Sequence, residues 1–354
     1  MKNKSEFLNV VFLVKGFNSF SGAAKQALVL SKAIKPKVKK ITILNIDNKF
    51  EVERYVDGIK VITVRKLSIL SYLKVVCLLK VGKVDIVHSQ GFFFDFIPFL
   101  YFAGIKYIIK STMYNSDDFL SLKKSKFGQV KLFFAKKCVA NNSLTQQMRK
   151  VNQTFLPNEK IFTIPNAVAI PNENPNKRNL ALFVGGIIER KRPDLAIRFF
   201  VNNFPDNYEL LIIGPTTELS DFDKPYFDNC INISKSNTHF LGLLSKDKVQ
   251  EYMRAAKCIL FFSEQEGLPN VVLEAMSYNC IPFISDMDGL SREIIPSDKE
   301  HFIINNPYED KVQDIDCLIE DTIKSNYFRK LAVLRYHKDI IAKSNIEMYI
   351  DACE

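Results

Sequence analysis

Tryptophan is absent from the 354 residues, and only four histidines and thirteen glycines are present. With no recognised binding motif and no tryptophan platform, nothing in the sequence supports a nucleic-acid-binding protein. The glycines nowhere fall into G-x-G-x-x-G, so no nicotinamide cofactor is indicated. Cysteine is present in an odd number, at Cys77, Cys138, Cys230, Cys258, Cys280, Cys317 and Cys353. No two are close and no Cys/His spacing suits zinc, so the expectation is reduced, mostly buried thiols. Neither Asp-x-Asp nor paired histidines occur in a convincing form, and no metal is expected. A long hydrophobic run is also missing. The longest, 92–105, is broken by Asp95 and Pro98 and falls short of the ~20 residues of a spanning helix. The opening six residues carry three charged side chains, Lys2, Lys4 and Glu6, and the apolar run 7–14 is too short for a secretory signal. A cytoplasmic protein is expected, soluble or peripheral to a membrane.

What is present is an ordinary globular composition, 47% apolar and 25% charged, at a length that suggests two domains. Charge is unevenly placed. Residues 1–171 hold 28 Lys/Arg against 10 Asp/Glu, and residues 172–354 hold 21 against 29. The contrast points to an anionic partner for the first half, a membrane surface or a nucleic acid.

Short β-rich runs alternate with helical patterns. The first half reads as strands at 8–14, 41–46, 84–89, 106–110, 138–142 and 161–165, with helices at 22–35 and 67–81 between. The strands are apolar on both faces, as in buried parallel sheets. Residues 169–179, rich in Pro and Asn, read as a linker. The alternation restarts at 180–185, 209–214, 238–242, 258–263, 281–286 and 301–304. Two consecutive doubly wound α/β domains are expected, with ligands beyond the carboxyl ends of the strands.

Three loops are candidates for binding. In SEQEGLPNVVLEAM (263–276), Pro269 suits the first turn of a helix running through 271–278. The loop Glu266, Gly267, Leu268 then lies at a helix N-terminus, a ready anion site. Glu266 on the loop and Glu274 inside the helix could accept hydrogen bonds from sugar and ribose hydroxyls, or be a dipole partner and a solvated helix residue. In VGGIIERKRPDLA (184–196), Gly185 and Gly186 turn the chain, and Arg190, Lys191 and Arg192 precede a helix near Pro193. Those cations could neutralise a diphosphate or form a solvated basic turn. The third loop, FNSFSGAA (17–24), opens a helix near Gly22. His88, ending a strand, is expected to point into the cleft, as a proton carrier or a structural residue. Asp117 and Asp118 could bind an acceptor hydroxyl or cap a helix.

EGLPNVVLEAM resembles the Glu-x7-Glu signature of retaining family-4 (group 1) glycosyltransferases. The likeness extends through DIVHSQG, TIPNAV, FVGGIIERKRPD, LIIGP, FLG and ISDMDG. It implies the α/β GT-B fold, two Rossmann-like parallel-sheet domains facing a central cleft. Residues 1–171 would form the acceptor domain, with a C-terminal helix at 330–354 packing back on it, and 172–329 the nucleotide-sugar domain. Glu266 would contact the donor sugar, Glu274 the ribose, and Gly267, Leu268, Pro269 and Asn270 the sugar and diphosphate. Lys191 would neutralise the leaving group. Gly22, Gly185, Gly186, Gly214 and Pro215 would line the donor, and His88 is carried as catalytic. Gly186 stands where many relatives have Arg, a charge that Arg190 or Arg192 would supply. Lys110, Asp117 and Asp118 are expected on the acceptor side. The implied reaction moves a sugar from a nucleotide-diphosphate donor, such as a UDP- or GDP-sugar, to a glycan or lipid-linked saccharide of capsule, O-antigen or another surface polysaccharide. It would be retaining, and without cofactor or metal. The stretch 121–137 interleaves lysines with Phe127, Val130, Leu132, Phe133 and Phe134, suiting a helix on an anionic membrane or a core helix with a basic face. The alternatives are a GT-B nucleotide-sugar epimerase and a nucleic-acid-binding protein, against which the acidic half and the sugar signature argue.

Overall fold

The computed structural model describes residues 4–17, 22–48, 52–66, 68–172, 176–217 and 222–354. The chain divides into two units: unit 1 is residues 1–167 with 337–354, and unit 2 is residues 168–336.

Unit 1 is built on eight strands, β1 (Asn9–Lys15), β2 (Lys40–Asp47), β3 (Val52–Val56), β4 (Ile59–Arg65), β5 (Ile86–Ser89), β6 (Tyr107–Ser111), β7 (Ala140–Ser143) and β8 (Ile161–Thr163). Their order is β3-β4-β2-β1-β5-β6-β7-β8, and every pairing is parallel except β3 with β4. Period two sorts β1 between two cores. Val11 and Leu13 join one cluster, with Tyr72, Phe96, Leu100 and Leu132. Val10, Phe12 and Val14 join the other, under the helices Gly22–Ile34 and Lys338–Cys353.

Unit 2 carries β9 (Arg178–Val184), β10 (Glu209–Ile213), β11 (Thr238–Gly242), β12 (Ala256–Phe261), β13 (Ile281–Ser285) and β14 (Ile303–Ile304), in the order β11-β10-β9-β12-β13-β14 and all parallel. In each sheet the strand order reverses beside the first strand, at β1/β5 and at β9/β12. A crevice for ligands forms at such a point.

All twelve expected strands are present, and four readings need correction. The hairpin β3–β4 was not foreseen, although its turn, Asp57-Gly58, has both residues at positive φ, the two-residue Asp-Gly hairpin signal. The stretch 121–137 is two helices, Phe119–Lys124 and Gly128–Lys136, broken at Phe127 with φ 60°. A Cβ on Gly128 would lie 1.9 Å from the Lys123 carbonyl oxygen, so the turn between them closes only around glycine. The division between units falls at 167/168 rather than 171/172. The chain returns to unit 1 at 337 rather than 330, because the helix Tyr327–Tyr336 is held in unit 2 by an aromatic chain. Phe199, Phe283, Phe302 and Phe328 follow one another at centroid distances of 5.6, 5.2 and 5.2 Å. Finally, Pro269 sits just before the helix Asn270–Ser277 rather than inside its first turn. Of the linker, 173–175 lie outside the described residues, and β9 already begins at Arg178.

Candidate active site

Two loops meet beyond the carboxyl ends of β9 and β12. A backbone bond stitches them together, Glu264 N–H donating to the Arg190 carbonyl (3.0 Å), and the Ser263 hydroxyl oxygen lies 3.1 Å from the same carbonyl oxygen. Glycine sets the floor. Gly185 N–H donates to Ile213 O and Gly214 N–H to Gly242 O, so the ends of β9, β10 and β11 draw in side by side. A Cβ on Gly214 would stand 2.0 Å from the Gly185 carbonyl oxygen.

Glu266 is the centre of the side-chain arrangement. Its Oε1 accepts from Lys191 Nζ (2.5 Å), from the Ser263 hydroxyl (2.7 Å) and, at 3.4 Å, from Arg190 Nη1. The carboxylate is only 11% exposed and Lys191 21%. Among the described residues no donor reaches its Oε2. Arg190 also donates to the Gln265 carbonyl at 3.1 Å. Two cations thus share one carboxylate, leaving local positive charge beside a helix N-terminus, which itself favours anions.

The neighbouring Arg192 has a different part. Its φ of 51° turns the chain into the helix Pro193–Asn203. Its guanidinium donates two bonds to Asp194 (both 2.9 Å) and one to Glu264 (2.8 Å). Burial pushes the Asp194 carboxyl up, but bonds from Arg192 and from the Tyr226 hydroxyl outweigh it and hold the pKa below the usual value. Of the two arginines weighed for the charge missing at Gly186, Arg190 faces Glu266 and Arg192 is occupied in fixing the turn.

In the helix Asn270–Ser277, Val272, Leu273, Ala275 and Met276 are buried, while Asn270, Val271 and Glu274 are half-buried. Spacing of three and four puts those three on one face. Gly267 and Leu268 lead into the first turn, whose amides have no carbonyl four residues back inside the helix. Pro215 follows Gly214 beyond β10, and Gly186 follows Gly185 beyond β9.

Unit 1 holds the other candidates, and several are committed to the fold. His88 is fully buried, not open to a cleft. Its Nδ1 lies 2.8 Å from the Tyr349 hydroxyl, and its ring packs against Phe12 at 5.2 Å. Burial, helped by the charge on Lys110, holds its pKa well below the usual 6.5. A neutral, enclosed imidazole under the C-terminal helix is a core residue, so the catalytic expectation for it is withdrawn. Asp118 caps the helix Phe119–Lys124, accepting from Ser121 N–H (2.9 Å) and the Ser121 hydroxyl (2.7 Å). Asp117 accepts from the N–H groups of Thr112 and Met113 and from the Thr112 hydroxyl (2.6 Å), closing its own loop. Lys110 is buried and donates to Asn166 Oδ1 at 2.9 Å. Burial lowers its pKa to about 7 against the pull of Asp117, and burial raises that of Asp117 to about 6. Gly22 opens the helix Gly22–Ile34, and residues 18–21 of its loop lie outside the described residues. Among the described residues no group of three or more His, Cys, Asp or Glu side chains could hold a metal ion.

Sequence reasoning missed Ser263, whose hydroxyl links the two loops and Glu266. Its signal was only its place at the end of a buried strand. It also missed the Gly214–Gly185 contact, which requires knowing which strands are adjacent.

Residues 168–334 match the family model of glycosyl transferases group 1. The chain is 24% identical over 290 residues, 76% of its own length and 77% of the relative's, to the capsular polysaccharide biosynthesis glycosyltransferase CapH of Staphylococcus aureus. Its fold is similar to that of HepE from Anabaena, solved with UDP and glucose, at TM-score 0.71 and 14% identity, covering 96% of this chain and 98% of that one. It is also similar to the lipopolysaccharide outer core galactosyltransferase WaaB, at TM-score 0.64 and 17% identity, covering 97% and 99%. The architecture is GT-B.

Proposed function

We propose that the chain, whose residues 168–334 match the family model of glycosyl transferases group 1, transfers a sugar from a nucleoside diphosphate donor, with retention at the anomeric carbon, to a glycan or lipid-linked saccharide during assembly of a capsule, O-antigen or similar surface polysaccharide, on the cytoplasmic side. The observation that carries this is the Lys191–Glu266 pair at 2.5 Å, set at the head of a helix beyond β9 and β12. The names of the CapH relative and of HepE with UDP or UDP-glucose support the donor class and the setting.

The chemistry follows from where charge develops. As the bond from C1 to the diphosphate oxygen breaks, the sugar becomes oxocarbenium-like and negative charge grows on the phosphate. Lys191 and Arg190 supply positive charge there, with the helix N-terminus behind them, so the chain's own cations do this work without a metal. Glu266 Oε2 accepts from donor hydroxyls, and Glu274 from the ribose diol. The acceptor oxygen bonds C1 on the face the diphosphate leaves, and its proton passes to the departing phosphate oxygen.

The test is a panel of UDP- and GDP-sugars, read by thermal stabilisation and by slow donor hydrolysis, with the anomeric configuration of the product followed by NMR. Stabilisation by one donor and an α-product from an α-donor are expected. Glu266→Ala should lower turnover far more than melting temperature, and Glu274→Ala should mainly raise the donor concentration required. Epimerised sugar nucleotide, an inverted product, or a response to oligonucleotides alone would overturn the assignment.

A further inference from the structure

The helix Ile69–Val81 buries Ser71, Tyr72, Val75, Val76 and Leu79 against the sheet of unit 1. A helix facing water carries polar residues on its other side. Here the outer side carries large apolar residues between two lysines: Ile69, Leu70, Leu73, Leu78 and Val81 are 66, 81, 49, 54 and 82% exposed. The surface continues onto the neighbouring helices Ile97–Phe102 and Gly128–Lys136. Tyr72 contacts Phe99 at 5.4 Å, and Tyr101 contacts Phe133 at 5.8 Å. Phe102 and Phe133 are themselves exposed. The segments that form this face are basic in sequence. Residues 66–83 contain Lys66, Lys74, Lys80 and Lys83 and no acidic residue, and residues 121–137 add more lysines, again with no Asp or Glu.

We propose that this face is a docking surface for an anionic lipid leaflet. The apolar stripe inserts into the headgroup and acyl boundary, and the lysines pair with lipid phosphates. The helix lies on the bilayer rather than through it. Its 13 residues span about 20 Å, short of the ~30 Å hydrocarbon core. A second copy of the chain is a poorer occupant, because a twofold contact sets the same lysines against one another, whereas the leaflet brings the opposite charge. The face differs from the one expected from sequence. In the stretch 121–137, Leu132 and Phe134 belong to the core, and the helix 69–81 supplies the larger exposed apolar area. The inference goes beyond sugar transfer and stands without it, since Glu266, Lys191 and Arg190 lie in the other unit.

The full chain is sedimented with vesicles rich in phosphatidylglycerol and with vesicles of phosphatidylcholine alone, at low and high salt. Binding to the anionic vesicles is expected, falling at least about tenfold at high salt. The double variant Leu70→Ser/Val81→Ser should lower partitioning about tenfold or more, and Lys80→Gln/Lys83→Gln should do so mainly at low salt. Melting temperature and donor hydrolysis should stay at wild-type values in both, which separates this result from any failure of the transferase reading. Absence of binding at low salt, or binding that neither variant weakens, would overturn the proposal. So would a wild-type dimer that Leu70→Ser/Val81→Ser dissolves while vesicles leave it untouched.

Discussion

Lys191 is held in place before any ligand arrives, because Glu266 already balances it at 2.5 Å. In the proposed reaction an entering diphosphate would compete with that carboxylate, and Arg190, with its longer 3.4 Å contact, is the cation that would swing over at least cost. Lys191→Ala should therefore cut turnover by about 10²–10³-fold, the range seen when one stabiliser of developing charge is removed, with little change in melting temperature because Arg190 and Ser263 still partner Glu266. Steady-state rates beside a melting curve check both halves. In unit 1, Lys110 gives a prediction of a different kind. Burial lowers its pKa to about 7 from 10.5, so between those pH values the unfolded chain binds more protons than the folded one, and stability rises with pH. Below pH 7 both forms are protonated and the gain is absent. Lys110→Met should flatten that rise, as measured by denaturant titration from pH 7 to 10; an unchanged slope would mean that Lys110 stays charged in the fold.

Among elements, the turns after β9 and β12 show how much of the site was legible. Glu266, Lys191 and Asn270 could be placed beside a helix N-terminus because strand-ending glycines and a proline punctuate those segments. The partition of three adjacent cations could not be read the same way. Arg190, Lys191 and Arg192 are equivalent in sequence, and only the positive φ at Arg192 sends its side chain to Asp194 and Glu264. Asp118 as a cap and His88 as a core residue had the same difficulty: each residue type suits either role, and the neighbour decides. The strand ends give a prediction at this scale. Gly214→Ala places a methyl 2.0 Å from a backbone oxygen that cannot rotate away. β9 and β10 must spread, at a cost of about 1–3 kcal/mol as in overpacked cores, and donor-induced thermal stabilisation should shrink with it.

For the molecule as a whole, unit 2 is one continuous stretch with its own aromatic core, while unit 1 is completed only by residues 337–354. From that last segment Ile341, Ala342, Ile346, Met348 and Tyr349 fill the cluster around Phe12 and Ile108. A chain ending at Tyr336 should lose more than about 5 kcal/mol from unit 1 and leave unit 2 folded. Calorimetry should show one transition lost or strongly lowered and the other unmoved. Charge follows the same partition, with 30 Lys/Arg against 14 Asp/Glu in unit 1 and 19 against 25 in unit 2. The sequence by itself determined the strand–helix alternation, the two sheets and the residues gathered beyond β9 and β12, because burial on both faces and turn chemistry are local signals that a linear pattern carries. Tertiary structure alone decided which cation meets Glu266, which histidine is enclosed, where the units divide and which helix presents its leucines outward. Each of those depends on what packs against a residue from a distant part of the chain, and no spacing in the sequence encodes that neighbour.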